Sequence, residues 1–348
     1  MAPQSKSKKR KLNNDEPSTS AVDTSKPTAV FKPTKGRKHT LSLALPGSII
    51  ANCSTHEMKN ALAGQIARAS AVFCVDEIVV FDDGQAATRP PEKDGYTAYA
   101  DPNFFLYHVL SYLETPPHLR KALFPMHPDL RTAGALPSLD MPHHLRSNEW
   151  CPFREGVSVG ASRVGGGGGE AATELDCGLA ERVSVRVELE PRTRLTVRVP
   201  EREGGEGEAV APEAPREEAG YYWGYSVRQA GSLGAVFTEC PFDGGYDVSV
   251  GTSERGTTLA TLLDRSDPSY VEPSWKHLVV VFGGVAGLEA ALSADRELLN
   301  AGVTEVKDLF DRWVNLVPGQ GSRTIRTEEA VWVGLAGLRS VVEARSAV

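Results

Sequence analysis

The sequence predicts an α/β protein whose mainly parallel sheet is interrupted by a small inserted β-barrel, and three observations carry that expectation. A strand, a helix and a second strand follow one another with short links soon after residue 39. Between about 140 and 220 the pattern changes to several short alternating strands with Gly-rich turns. From Tyr221 the longer apolar strands return. Strand–helix–strand units imply parallel pairing, whereas short strands separated by turn residues imply a barrel.

The first unit opens with TLSLAL, in which Leu41, Leu43 and Leu45 share one face of a strand, and Pro46-Gly47-Ser48 ends it. A helix is expected from Glu57 to Phe73, because Met58, Leu62, Ile66, Ala69 and Phe73 recur at helical spacing. DEIVVFDD at 76–83 is the second strand. Residues 84–101 read as a loop, followed by helices over 102–114 and 117–124. In the insertion, FREGVSV, ERVSVRVEL and RLTVRVP are strands, while Gly165–Gly169 and the acidic stretch 201–218 are expected to be loops. YYWGYSVR, YDVSV at 246–250, HLVVVFGG and WVNLV then continue the sheet. A last helix is expected from Thr327, with Glu328 and Glu329 in its first turn and Val331, Leu335, Leu338 and Val342 as its buried stripe. The expected organisation is a disordered basic tail over 1–38, an α/β domain made of 39–140 and 221–348, and a barrel over 141–220.

The formal net charge of -7 conceals a division. Residues 1–38 hold ten basic and three acidic side chains, a net of +7, which leaves 28 basic and 42 acidic groups, a net of -14, in the rest. The tail has almost no large apolar residues and cannot offset its ordering entropy by burial. Its cluster Lys6–Lys11 suits an importin-type receptor or nucleic acid. The longest apolar stretch, Leu278–Leu288, is too short and Gly-rich to span a bilayer, and no apolar signal peptide follows Met1, so neither membrane insertion nor secretion is expected. Five cysteines without a CxxC pair argue against disulfides and zinc. His143 and His144 are adjacent, so their side chains diverge, and no third ligand is evident; they read as structural or, on the resemblance given below, as RNA-contacting.

Three loops share a composition and a position. GTSERG at 251–256, FGGVAGLE at 282–289 and NLVPGQGSRTIRTEE at 315–329 each follow a strand and are crowded with Gly, Ser, Thr or Pro. Ligands of open α/β sheets bind at the carboxyl ends of strands, and glycines admit close backbone approach. None completes a phosphate-binding motif alone; together they point to a nucleotide-like cofactor.

Several segments resemble the SPOUT class of methyltransferases: LALPGSII, LAGQIARASAVFCVDEIVVFDD, PHHLR, FREGV, YWGYSVR, YDVSVGTSERG, VVFGG and PGQGSRTIRTEEA. The resemblance runs from about His39 to the C-terminus. It is nearest to the RNA methyltransferase branch whose knotted domain carries an inserted OB-like barrel. It implies a SPOUT-like knotted, mainly parallel sheet with helices on both faces and a trefoil knot at its C-terminal end, which periodicity does not reveal. It also implies S-adenosylmethionine held by Thr252 and Ser253, by Gly283, Gly284 and Leu288, and by Asn315, Pro318, Gln320, Gly321, Thr324, Ile325 and Thr327. The candidate catalytic residues are Glu254, Arg255 and Arg323. Glu254 is either a base for a protonated ring nitrogen or a surface carboxylate paired with Arg255. Arg255, Arg323 and Arg326 suit phosphate or base-edge contacts. In the barrel, Arg182, Arg186, Arg192, Arg194 and Arg198 offer a basic face for RNA. The implied activity is methylation of a ribosomal RNA base by a nuclear or nucleolar homodimer. The competing expectation is a non-enzymatic RNA-binding or ribosome-assembly factor that kept the fold.

Overall fold

A computed structural model describes residues 33–86, 89–164, 170–199 and 205–347. The basic cluster Lys6–Lys11 and Gly165–Gly169 lie outside the described residues. The α/β domain opens with strand β1 (Thr40–Pro46), helix α1 (His56–Val72), strand β2 (Glu77–Phe81), and helices α2 (Pro102–Glu114) and α3 (Pro117–Leu123). The insertion supplies β3 (Phe153–Val164), β4 (Glu170–Asp176), β5 (Val183–Val185), β6 (Arg194–Arg198) and β7 (Gly205–Val210). Helix α4 (Ala214–Ala219), β8 (Ser226–Ala230), α5 (Leu233–Thr238), β9 (Val248–Thr258), β10 (His277–Val281), α6 (Gly287–Ala294), α7 (Arg296–Asn300), β11 (Arg312–Asn315) and α8 (Thr327–Ala347) complete the chain.

Six strands form one sheet in the order β11-β9-β10-β1-β2-β8, and every neighbouring pair is parallel. Strand β1 therefore sits inside the sheet, and all seven of its residues are buried. Alternation along it sorts residues between two cores rather than between core and solvent. Leu41, Leu43 and Leu45 join Ile78, Val80, Leu278 and Val280 in one cluster with residues of α1, α2 and α8. Ala44 joins Val79, Phe81, Val279 and Val281 in the other, with residues of α5 and α6. Helices thus cover both faces, as parallel strands require.

Local chemistry sets the element ends. Thr55 Oγ1 accepts from Met58 N to cap α1, and Asp101 Oδ1 accepts from Phe104 N to cap α2. Met58, on the expected stripe of α1, is 45% exposed, and in α8 Val341 is buried where Val342 was expected. The strand expected from Tyr221 starts only at Ser226. Gly224 has φ of +88°, which breaks the extended run. Before it, Tyr222 is engaged by its hydroxyl, which donates to Val75 O.

The five insertion strands close into a barrel in the order β3-β4-β5-β7-β6 around Leu175, Cys177, Val183, Val185, Val197 and Val199. One expectation is corrected here: the acidic stretch is not simply a solvated loop. Gly205–Val210 is barrel strand β7, and Ala214–Ala219 is helical. The acids were misleading because arginines on adjacent strands match them: Glu206 pairs with Arg186, and Glu208 and Glu218 both pair with Arg198.

A buried polar cluster joins the barrel to the sheet domain. Arg194 of β6 donates to both carboxylate oxygens of Glu114 at the end of α2 (2.6 and 3.0 Å) and to Glu155 Oε2 of β3 (2.7 Å). Thr196 Oγ1 and Trp223 Nε1 donate to Glu155 Oε1. His143 Nε2 lies 2.8 Å from Glu114 Oε1, and His144 Nε2 lies 2.6 Å from Glu114 O. Burial opposes the charge on Glu114, yet Arg194 and His143 hold its carboxyl well below the usual carboxylate range. Both histidines therefore serve this joint.

Candidate active site

Parallel strands place all their carboxyl ends on one edge, so the loops after β10 and β11 gather there; GTSERG, expected as a loop after a strand, is instead the bulged last part of β9, and it serves as the first loop of the edge. The first loop arises from a register change. Arg312 and Trp313 pair with Val250 and Gly251, but Val314 and Asn315 pair with Thr257 and Thr258. Residues 252–256 are left without backbone pairing partners in β11 and form a bulge at the edge.

Each loop is fastened to another by a neutral hydrogen bond. Thr252 Oγ1 donates to Val281 O (3.0 Å), joining the first loop to the strand that leads into the second. Asn315 Nδ2 donates to Glu254 O (2.8 Å), joining the third to the first. Thr327 Oγ1 donates to Gly283 O (2.9 Å), joining the third to the second. The second loop is also tightly built: a Cβ at Gly283 would stand 2.9 Å from Gly287 C and Leu288 N. A side chain there would collide with the backbone of its own loop, which is why the position takes glycine.

The residues singled out in the sequence divide by exposure. Leu288 and Thr327 are buried. Thr252, Ser253, Gly283, Gly284, Asn315, Gln320 and Ile325 are half-buried around the three loops, whereas Pro318, Gly321 and Thr324 are exposed. Glu254, Arg255 and Arg323 are exposed as well. Arg255 pairs with Glu289 at 3.6 Å, so the Glu254–Arg255 pair considered from the sequence is not the arrangement found. Glu329 Oε2 accepts from Arg326 N, which places this carboxylate on the helix terminus. Burial, with Glu328 close by, pushes the Cys53 thiol up, which makes it a poor nucleophile.

Two side chains that spacing gave no reason to select stand at the same edge. Ser48 follows β1 and Asp83 follows β2, and Ser48 Oγ donates to Asp83 Oδ2 at 2.7 Å. The detectable signal was position alone, since both follow strands of the first βαβ unit. The barrel arginines, by contrast, are largely committed: Arg194 to Glu114 and Glu155, Arg182 to Asp176, Arg186 to Glu206, and Arg198 to Glu208 and Glu218. Away from this edge, His108, His127 and Asp129 bring their ligand atoms within 4.8 Å of one another. The Asp129 carboxylate there already accepts from Thr97 N, Thr97 Oγ1 and His108. No helix among the described residues is long and apolar enough to cross a membrane.

A parallel sheet with three tied segments at its carboxyl edge, connected to a closed five-strand barrel, is the framework of an α/β enzyme. Residues 40–338 match the family described as "Putative RNA methyltransferase", and the chain belongs to that family: it is an RNA methyltransferase. Among curated relatives, it is similar to the 28S rRNA (uridine-N(3))-methyltransferase of Homo sapiens, 48% identical over 89% of this chain and 81% of the relative. The proteins of the same name from Mus musculus (46% identical, 88% of this chain and 77% of the relative) and Drosophila melanogaster (41%, 89% and 64%) are also similar.

Proposed function

We propose that this protein transfers the methyl group of S-adenosylmethionine to N3 of a uridine in ribosomal RNA. The observation that carries the reading is the interlocking of the three loops by Thr252, Asn315 and Thr327 in a chain of this family. The names of the relatives supply the base and the RNA. A bound S-adenosylmethionine supplies a methyl group activated by a sulfonium. The site suits such a group: its edge is lined by backbone and small side chains, and a Cβ at Gly319 or Gly321 of the third loop would meet nothing within 4 Å. Main-chain groups of 282–287 and 315–326 would hold the nucleoside and amino-acid parts, and buried Leu288 would back them.

The protein's own contribution is alignment in a water-poor pocket. Exposed Arg323 and Arg326 suit the RNA phosphates, and Arg255, which leans on Glu289, suits a base edge. We further propose that residues 315–326, tied at Asn315 to the first loop and bounded by Thr327, which is tied to the second, form a trefoil knot. The protein then acts as a homodimer with the barrel over 141–220 as an RNA-binding insertion, and reaches the nucleus and nucleolus through Lys6–Lys11. Nucleoside mass spectrometry of ribosomal RNA from cells lacking the protein tests the activity. Loss of N3-methyluridine is expected. An unchanged profile would contradict the reading and favour an assembly factor.

A further inference from the structure

Asp83 is a buried carboxylate, 2% exposed, at the edge of the sheet where methyl transfer is proposed. It accepts two hydrogen bonds, from Ser48 Oγ at 2.7 Å and from Gln85 N at 3.1 Å. Among the described residues it makes no ion pair, which sets it apart. Glu77 faces Arg228, Glu114 and Glu155 face Arg194, and Asp129 faces His108. Asp295 accepts from three backbone N–H groups, those of Gly234, Glu297 and Leu298. A buried carboxylate without a cation or a full set of donors is costly to keep.

Its position is equally specific. Strand β1 lies between β10 and β2, so the segments after these three strands meet at one point of the edge. There the second cofactor loop touches the pair: a Cβ at Gly284 would stand 3.0 Å from Asp83 Oδ2 and 3.3 Å from both Ser48 Oγ and Pro46 Cγ. Ser48 is half-buried, so its hydroxyl is within reach of a ligand while Asp83 is shielded behind it. A hydroxyl that donates its only proton to a carboxylate keeps its lone pairs free to accept.

We propose that Ser48 and Asp83 are the proton-accepting pair of the reaction, with Ser48 Oγ touching N3–H of the target uracil and Asp83 receiving the proton through it. This assignment rests on the uridine reading above. Uracil N3 carries a proton at neutral pH, and its lone pair becomes available for attack when that proton leaves. The N3–H bond breaks as Ser48 Oγ takes the proton and passes its own to Asp83 Oδ2. The electron pair on N3 forms the new N–CH3 bond, and the electrons of the broken C–S bond stay on sulfur, which becomes neutral. Asp83 returns its proton to water after release. Among the described residues exposed Glu254 has no comparable orienting partner, and Asn315 holds its backbone carbonyl.

The test uses the full-length protein, with ribosomal RNA from cells lacking the endogenous activity as substrate. Single-turnover methylation, equilibrium binding of S-adenosylmethionine and of RNA, and thermal melting are measured for wild type, Asp83→Asn and Ser48→Ala. Asp83→Asn is expected to lose about 100-fold or more in the methylation rate at neutral pH, the scale of a general base. Its two binding constants should stay within about threefold of wild type. Its deficit should shrink as pH rises, because the uracil N–H then ionises unaided. Ser48→Ala should show a smaller loss with the same pH trend, which keeps the test valid if Asp83→Asn melts early. Wild-type rates in both variants, or losses that follow binding and ignore pH, would overturn the pair alone. A wild-type protein that binds S-adenosylmethionine yet leaves uridine N3 unmethylated would overturn the pair together with the activity.

Discussion

The sheet edge and the barrel joint both hold separate segments together, but they do so with opposite materials. At the edge, Thr252, Asn315 and Thr327 donate to backbone carbonyls, and the ion pairs beside them, Arg255–Glu289 and Arg326–Glu328, both use exposed arginines. At the joint, Glu114 and Glu155 are charges withdrawn from water and paired with the half-buried Arg194, with His143, Thr196 and Trp223 satisfying the remaining positions. A neutral hydrogen bond contributes about 1 kcal/mol net, so each loop can part from its neighbour at small cost when ligand enters. Breaking a buried ion pair strands its partner and costs about 3–5 kcal/mol. The joint therefore fixes where the barrel sits, while the edge remains adjustable.

The largest expected effect is at the joint. Arg194→Ala leaves both carboxylates uncompensated and should lower stability by about 3 kcal/mol, near the low end because Arg194 keeps 29% of its side chain in solvent. Chemical denaturation would show it as a lower midpoint, with weaker RNA binding. An unchanged midpoint would mean that the joint is not rigid. Next is Gly256→Val at the edge. A Cβ there would stand 2.3 Å from Val314 C, so β11 must shift, at a cost of about 1–3 kcal/mol. Calorimetry should find the affinity for S-adenosylmethionine reduced about tenfold or more.

Acid should separate the two regions. His144 is lowered to about 3, mainly by burial and then by His143, so the unfolded chain takes up a proton there that the folded one refuses. That contribution is complete above the ordinary value of 6.5 and declines as pH falls from there towards 3. The depressed carboxyl of Glu114 acts in the same direction, with stability lost below its ordinary value of 4.5. The melting temperature should therefore fall as pH drops below about 6.5, and His144→Gln should flatten the upper part of that slope. The smallest effect belongs to Thr327→Val, which removes one tie and should weaken S-adenosylmethionine about fivefold with little change in melting.

These contrasts also explain what the sequence disclosed. Spacing located β1, α1, α2 and α8 to within a residue or two, because a helix or strand imprints its period on neighbouring residues. Composition located the three segments that Thr252, Asn315 and Thr327 tie together, although GTSERG proved to be the bulged end of β9 rather than a loop after a strand. The joint was less legible. Glu114 and Arg194 are eighty positions apart, and nothing in local pattern shows that an arginine expected to face RNA is spent on a carboxylate of another element. The acidic stretch was misread for the same reason, because charge suggested solvent while the partner strand supplied matching arginines. Asp83 was hidden too: in FDDG a buried carboxylate cannot be told from an exposed one without the fold.

The central claim is that this edge transfers a methyl group to uridine. Purified full-length protein, incubated with methyl-labelled S-adenosylmethionine and unmodified ribosomal RNA, tests it most directly when the digested nucleosides are resolved by mass. Label in N3-methyluridine, lost in Asp83→Asn, is the predicted result. Label on another base, or none at all from a protein that binds both ligands, would contradict the account.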